Sequence, residues 1–328
     1  MLTRAHLDAA VRNGLIQMLG HADANETATF SRQLEHIMVQ TYDVKYPELK
    51  ARSLIPVDGS VPTGAESFTF RGFDQIGEAK EIANYATDFP NAEVQGAEVT
   101  QKIVGIGVSY TYTLQDMRRA QMAGLPLEAR KAAAARRVAE NKLEKIAAVG
   151  TDSGIKGLTN AANILAVTTT TGAATNYWAA GGKTPKEILA DVNKMQSTIF
   201  TTSKGVHMPD TLVLDTAGYS WVATTPVNVA DATIQSNTSI LNYILQMSPW
   251  LKTIEYWPRL DTAGASSKAR IMMFERRPEN FGLVIPQDFE QFAPQQSNLA
   301  FRVPCHMRCG GVSVHYPKSI AYMDGTQA

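Results

Sequence analysis

Two groups of residues have the types and spacing to do chemistry. Cys305, His306, Cys309 and His315 offer four side chains able to ligate a transition metal. In a strand, Cys305 and Cys309 share one face but stand about 13 Å apart, too far for shared tetrahedral ligation or a disulfide, and His306 faces the other way. Only a bend at Gly310 and Gly311 would gather them, so the spacing predicts buried, inert thiols. The second group is GGKT at 181–184, which has the form of the end of a phosphate-binding loop. The complete motif needs a glycine five positions before Gly182. Tyr177 stands there, and Pro185 follows at once. A nucleotide site is not expected.

Other catalytic patterns are missing from the sequence. It has no G-x-S-x-G, no H-E-x-x-H and no C-x-x-C, and His6, His21, His36 and His207 are scattered. Gly105-Ile106-Gly107 lacks the third glycine and the following helix of a dinucleotide fingerprint, so thinned side chains on one strand face are the expectation. Asp288 and Glu290 lie two apart on a predicted strand, as a solvated face would place them. Tyr177, Trp178, Trp221, Trp250, Tyr256 and Trp257 do not alternate with basic residues, which leaves base stacking without support. No catalytic residue, cofactor-binding residue or metal ligand is predicted.

What must such a chain do instead? Lys plus Arg and Asp plus Glu are 31 each, so the formal net charge is zero, where a nucleic-acid binder would show a basic excess. A chain of this kind can contain DNA without gripping it. Charged residues make up 19%, below the ~25% typical of soluble domains, as suits a surface largely hidden between subunits. No apolar run approaches the ~18–20 residues of a membrane span. Asp8 and Arg12 occupy the place of a signal peptide's apolar core, so synthesis and retention in a reducing cytosol are expected, in keeping with two cysteines in 328 residues.

The elements are long. Val104, Ile106, Val108, Tyr110, Tyr112 and Leu114 fall at every second position of VTQKIVGIGVSYTYTLQDM (99–117), which predicts one unbroken strand of about 35 Å with one buried face. SFTFRGFDQ (67–75) predicts a second strand, and the segment between them is too long for a tight hairpin. The result is a projecting hairpin carrying Phe73, Ile76, Ile82, Tyr85 and Phe89, with too little of its own chain to cover them. A neighbouring chain is the natural cover. A helix is predicted from Pro126 to a stop at Gly150, about 36 Å long. Ala132, Ala135, Ala139, Leu143 and Ile146 form its apolar stripe, with Arg130, Arg136, Arg137, Glu140 and Glu144 off it. FSRQLEHIMVQTYD sets Phe30, Leu34, Ile37 and Met38 at helical spacing in an N-terminal arm. From about 185 the texture is mixed α/β: a helix at 185–203, a strand in DTLVLD, a helix in SILNYILQMSPWL, strands at 269–275 and 282–292, and closing strands. There are no repeats or heptads.

This order of parts resembles the Johnson fold of tailed-bacteriophage major capsid proteins, shared with encapsulins. MAGLPLEARKAAAARRVAENKLEKIA followed by GIKGLTNAANI resembles the spine helix and following G-[IL]-x-G-[LF]-x-N loop of that family. IANYATDFPNAEV resembles its extended loop, and KGVHMPDTLVLD, PENFGLVIPQDFEQ and VPCHMRCGGVSVHYPKSIAY its axial and peripheral strands. The resemblance implies an α+β fold with an N-terminal arm and connector at 1–66, an extended β-hairpin loop at 67–113, a peripheral domain with spine helix at 114–160, an axial domain at 161–290, and strands returning to the peripheral domain at 291–328. It implies a structural, non-enzymatic subunit that self-assembles into hexamers and pentamers of an icosahedral or prolate shell around double-stranded DNA, made in the bacterial host cytoplasm and resident in the virion. Portal, scaffold and decoration proteins are the implied further partners, with no cofactor and no membrane. Phe73, Ile76, Ile82, Tyr85, Phe89, Phe30 and Leu34 become candidate inter-subunit contacts. Some members cross-link a loop lysine to an asparagine; Lys80 lies in the loop, but no motif marks a partner for it. An encapsulin-type compartment around an enzyme cargo is the alternative.

Overall fold

The computed structural model describes residues 44–81, 91–124, 126–170, 178, 182–228 and 235–325. Phe30, Leu34, Ile82, Tyr85 and Phe89 lie outside the described residues. The chain divides into two units, 1–47 and 48–328. In the first, the described residues include Val44 and Tyr46, both exposed. The elements below belong to the second.

The first half holds α1 (Ala51–Leu54), β1 (Val57–Asp58), β2 (Ser67–Ile76), β3 (Glu93–Lys102), β4 (Val104–Thr113), α2 (Leu114–Ala123) and α3 (Leu127–Ala148). The single long strand expected over 104–114 and its approach is corrected in two places. At Ile103, itself buried, the chain leaves one sheet for another. β3 pairs with β2 over ten residues, from Ser67 opposite Lys102 to Ile76 opposite Glu93. β4 pairs instead with β14 (Ala300–Cys309), also over ten residues. The hairpin therefore closes on β3. At the other end Leu114 opens α2, because Thr113 and Asp116 form a reciprocal capping box: Asp116 N donates to Thr113 Oγ1 at 3.1 Å and Thr113 N to Asp116 Oδ2 at 3.2 Å.

α3 begins after Pro126 and ends before Gly150, whose φ of 90° admits the left-handed turn. Ala135, Ala139, Leu143 and Ile146 are buried, and α3 packs along β4. Glu144 departs from the expected exposed face. It is buried, and accepts hydrogen bonds from Lys50 N at 3.2 Å, Ala51 N at 2.8 Å and Trp257 Nε1 at 2.5 Å. One carboxylate thus caps α1 and ties it to α3 and to the segment around Trp257, since a buried charge persists only when its lone pairs are filled.

The GIKGLTN stretch finishes α3. Leu158 N donates to Ala147 O at 2.8 Å, Thr159 N to Ala148 O at 3.0 Å and Asn160 Nδ2 to Val149 O at 2.8 Å, filling carbonyls that a helix end leaves open. Gly157 lies so close that a Cβ there would sit 2.1 Å from Ala148 O. Gly157→Ala is expected to cost about 3 kcal/mol or more, through overpacking and lost clasp hydrogen bonds. At Gly154 φ is 94° and the space is open, so Gly154→Ala carries only backbone strain of about 1–2 kcal/mol. Urea unfolding of the two variants should separate them, and equal losses would show that the close approach at Gly157 is not what the loop depends on.

The second half is built on a five-stranded sheet of β5 (Leu165–Thr168), β16 (Ile320–Asp324), β10 (Arg270–Phe274), β6 (Thr211–Leu214) and β9 (Thr253–Tyr256), in that order. Its central strands are buried on both faces, which is why they read as continuous apolar runs. One face, with Leu212, Ile271, Met273 and Met323, packs with α4 (Pro185–Thr202), α5 (Thr216–Thr224) and α6 (Ile240–Met247). The other face, with Val213, Met272, Phe274 and Tyr322, joins the core that holds Leu143 and Ile146 of α3. β7 (Pro226–Asn228) and β8 (Gln235–Ser239) form a small ribbon.

The strand expected over 282–292 is two strands. β11 (Phe281–Val284) pairs with β1 and with β15 (Gly311–Val314), whereas β12 (Gln287–Gln291) pairs with β14. Pro286, which has no N–H to donate, lies at the break. β13 (Gln295–Ser297) pairs with the start of β14. The chain's end is shared between sheets: β14 meets β4, β15 meets β11, and β16 enters the five-stranded sheet.

Candidate functional site

The residues with chemical potential are absorbed by the core. Lys183 is fully buried and ion-paired with the equally buried Asp191. Asp191 also accepts from Trp178 Nε1 at 2.9 Å, Thr170 N at 2.8 Å and Thr170 Oγ1 at 2.6 Å. A lysine so placed cannot reach a phosphate; it neutralises a carboxylate inside the α4 layer, and Thr184 and Glu187 start that helix through a capping box, with Pro185 at its first position. Cys305 and Cys309 point inward from β14 as free, buried thiols. Burial pushes Cys309 up to about 11 and also raises Cys305, so both stay protonated and unreactive. His306 lies over Gly105 of β4, where a Cβ would come within 3.1 Å of its Nε2. No cluster of three metal-ligating side chains occurs among the described residues. Asp288 is exposed and paired with Arg52 at 2.7 Å.

What remains without cover is the β2–β3 ribbon. Beyond Phe70, the residues of β2 to Ile76 and those of β3 up to Thr100 are exposed. Phe73 is 72% exposed, Val94 64%, Val99 50% and Ile76 47%. The register puts Phe73 and Val94 on one face, with the Phe73 ring over Gly96, where a Cβ would lie 3.3 Å away. Ile76 and Val99 are on the opposite face. The two described candidates, Phe73 and Ile76, are therefore not brought together: each belongs to its own apolar face. Val94 was missed because its part of the strand was taken as loop, and Val99 because it was read as the approach to the strand at 104. The alternation of EVQGAEVT was the available signal. Two strands alone are marginal in water, and among the described residues Arg71–Glu98 at 2.7 Å and Thr69–Thr100 at 2.8 Å add exposed cross-strand pairs.

The ribbon's root is fastened by aromatics. Phe68 meets Gly310, where a Cβ would lie 2.8 Å from its ring, and Phe70 stands edge-on to His315 with centroids 4.6 Å apart. Gln101 Nε2 donates to Val312 O at 3.3 Å. Lys156 and His315 line the same open groove of about 370 Å³ beside the root. Burial lowers the His315 value, against a smaller opposing pull from Asp58. The fold thus favours neutral imidazole. Its contribution is complete above the ordinary histidine value of about 6.5 and is lost as pH falls through the lowered folded value. Amide exchange at the ribbon root is expected to quicken as pH drops below about 6, after correction for intrinsic rates, and His315→Gln should remove that step. A step that persists in His315→Gln would assign it to another group.

Comparison with known proteins gives this geometry a family. The family model described as Major capsid protein matches residues 77–326. No curated protein matches the chain at a significant level. Among solved structures, the capsid of Myoviridae phage XM1 superposes with a TM-score of 0.77 at 15% identity, covering 91% of this chain and 99% of that one. The capsid of a native GTA particle gives 0.62 at 12% identity, over 93% and 100% of the two chains. A virus-like particle from Pyrococcus furiosus gives 0.53 at 12%, over 83% and 91%. At such identities these likenesses establish the Johnson-type capsid fold. With the family model spanning residues 77–326, well over half of the sequence, the chain belongs to the Major capsid protein family.

Proposed function

We propose that this capsid subunit builds the hexamers and pentamers of an icosahedral or prolate shell around the double-stranded DNA of a tailed bacteriophage. The observation that carries the reading is the ribbon, with apolar side chains exposed on both faces. In this arrangement residues 67–113 act as the extended loop, with β2 and β3 laid over a neighbouring subunit and β4 as the root in the subunit's own sheet. Residues 114–160 form the peripheral domain around α3, 161–290 the axial domain at the capsomer centre, and 291–328 largely return to the periphery. The arm and connector at 1–66 reach adjacent subunits. Phe73, Ile76, Ile82, Tyr85, Phe89, Phe30 and Leu34 are the proposed inter-subunit contacts. The zero net charge supports containing DNA through weak, non-specific contact.

The subunit is proposed to be structural and to catalyse nothing, to be made in the host cytoplasm, and to meet portal and, where present, scaffold or decoration proteins. Many weak contacts suffice, because a closed shell multiplies them. Negative-stain electron microscopy of the purified native particle, with its absorbance ratio for nucleic acid, tests this. Closed shells holding DNA are expected. Shells around a protein cargo would instead assign an encapsulin-type compartment, and a small homogeneous oligomer would overturn both.

A further inference from the structure

One end of the five-stranded sheet gathers cations into a rim. β10 ends where β16, β6 and β9 begin, so the residues just outside these strands lie side by side. Lys318 precedes β16, Arg276 follows β10, Lys252 precedes β9, and Lys204 stands in the turn after α4. At about 4.8 Å between strands, the rim from β16 to β9 spans about 14 Å. Hydrogen bonds draw it together: Arg276 N donates to Asp210 Oδ1 at 2.9 Å, and Lys252 N to Asp210 O at 2.8 Å. All four cations are exposed, and none of their side chains has a hydrogen-bond or ion-pair partner among the described residues. The acids beside them are occupied. Asp210 Oδ1 also accepts from Thr211 Oγ1 at 2.9 Å, and the buried Glu275 takes His207, Asn280 and Arg277; Glu279 is exposed in the same turn as Arg276. Val206, Met208 and Tyr316 stand exposed on this rim, the Tyr316 ring 5.6 Å from that of His207. Aromatic side chains, Met and Arg together are the composition of a protein contact, and phosphates alone would not call for the apolar groups.

The β2–β3 ribbon offers the complement, on one face only. The face with Phe73 and Val94 also carries Arg71 and Glu98, which neutralise each other at 2.7 Å. The register puts Asp74, Ile76, Glu93 and Val99 on the other face. Asp74 and Glu93 are diagonal neighbours there, about 7–8 Å apart. Both are exposed, and neither pairs with a cation among the described residues. Two like charges so placed repel, and a surface that brings cations relieves them. We propose that the Ile76 face of one subunit's ribbon docks on the cationic rim of a second subunit, acids against cations and apolar side chains against each other. This names the surface that receives the ribbon, and it rests on the chain forming shells. Opposite charges on the two surfaces fix which face of the ribbon lies inward, because the Phe73 face has no net charge to match.

The test reverses charge on each surface of the full-length chain: Asp74→Lys with Glu93→Lys on the ribbon, and Lys252→Glu with Arg276→Glu on the rim. Circular dichroism and thermal unfolding confirm that the variants fold. By light scattering, each reversed chain alone is expected to need at least about tenfold more protein to assemble, since like charges then meet at every copy of the contact. A chain with all four substitutions should assemble within about threefold of the unaltered protein, as two coupled sites do. An equimolar mixture of ribbon-reversed and rim-reversed chains should associate, by sedimentation velocity, where neither does alone, because each ribbon finds an oppositely charged rim only on the other chain. A normal threshold in either reversed chain, or no rescue in the four-substitution chain, would overturn the docking. Rescue in that chain but not in the mixture would place the contact within one subunit and overturn it as well. Rim-reversed chains that assemble normally into shells lacking DNA would give the rim to nucleic acid instead. Failure of the unaltered protein to form shells would sink the capsid reading itself, whereas shells from it with unchanged assembly in both reversed chains would sink the docking alone.

Discussion

Lys183→Ala is expected to destabilise the subunit by about 3–5 kcal/mol, the range seen when one member of a buried ion pair is removed and its partner stays charged in the interior. Asp191 would keep its bonds from Trp178 and Thr170 but lose its countercharge, in a site both side chains share at zero exposure. For a domain of this size that is a large part of total stability. Urea unfolding gives the value directly. The companion Lys183→Met, Asp191→Asn should recover part of it, since the amide oxygen still accepts from Thr170 and no unpaired charge remains, although the amide NH2 then replaces the oxygen that accepted from Trp178 Nε1. A Lys183→Ala subunit within about 1 kcal/mol of the unaltered protein would mean that the pair contributes little beyond filling space.

The second large effect is on assembly alone. Phe73→Asp is expected to leave the isolated subunit folded, because the side chain is 72% exposed and rests on Gly96 across the ribbon. Its cross-strand contact accounts for roughly 0.2–1 kcal/mol. If a neighbour covers the ring, burial contributes about 1.5–3 kcal/mol at every copy of the contact, and a buried aspartate there adds a desolvation cost. A shell repeats the deficit, so the concentration needed for assembly should rise by about a hundredfold or more. Ile76→Asp probes the opposite face and should act independently. Light scattering of assembling subunits, with circular dichroism to confirm folding, reads both. Normal shells from Phe73→Asp would remove that face of the ribbon from the interface.

Much of the architecture was legible because one-sided burial leaves a period in the sequence. Val104 to Tyr112 alternate since one face of β4 packs under α3, and the stripe from Ala135 to Ile146 is the other half of the same contact. Pro126 and Gly150 marked the ends of α3 for local reasons of backbone geometry. The Gly154 to Asn160 motif was visible as a pattern, but its work as a clasp on the carbonyls of α3 was not. Hydrogen bonds of that kind are made by the main chain and leave little trace in side-chain type.

The same limit hid the change of partner at Ile103, which the alternation ran straight through, and the break at Ile285 and Pro286. Which strand a backbone pairs with is settled by where the rest of the chain lies. Lys183 and Glu144 show the limit for charge: each has the composition of a surface residue, and only the convergence of distant segments, Thr170 with Asp191 or Lys50 with Trp257, supplies the partners that make burial tolerable. From sequence alone came the long helix, the alternating strand, the projecting hairpin and the absence of a catalytic pattern. Tertiary structure alone decided which faces stay bare, because exposure is what remains after every long-range pairing has been made.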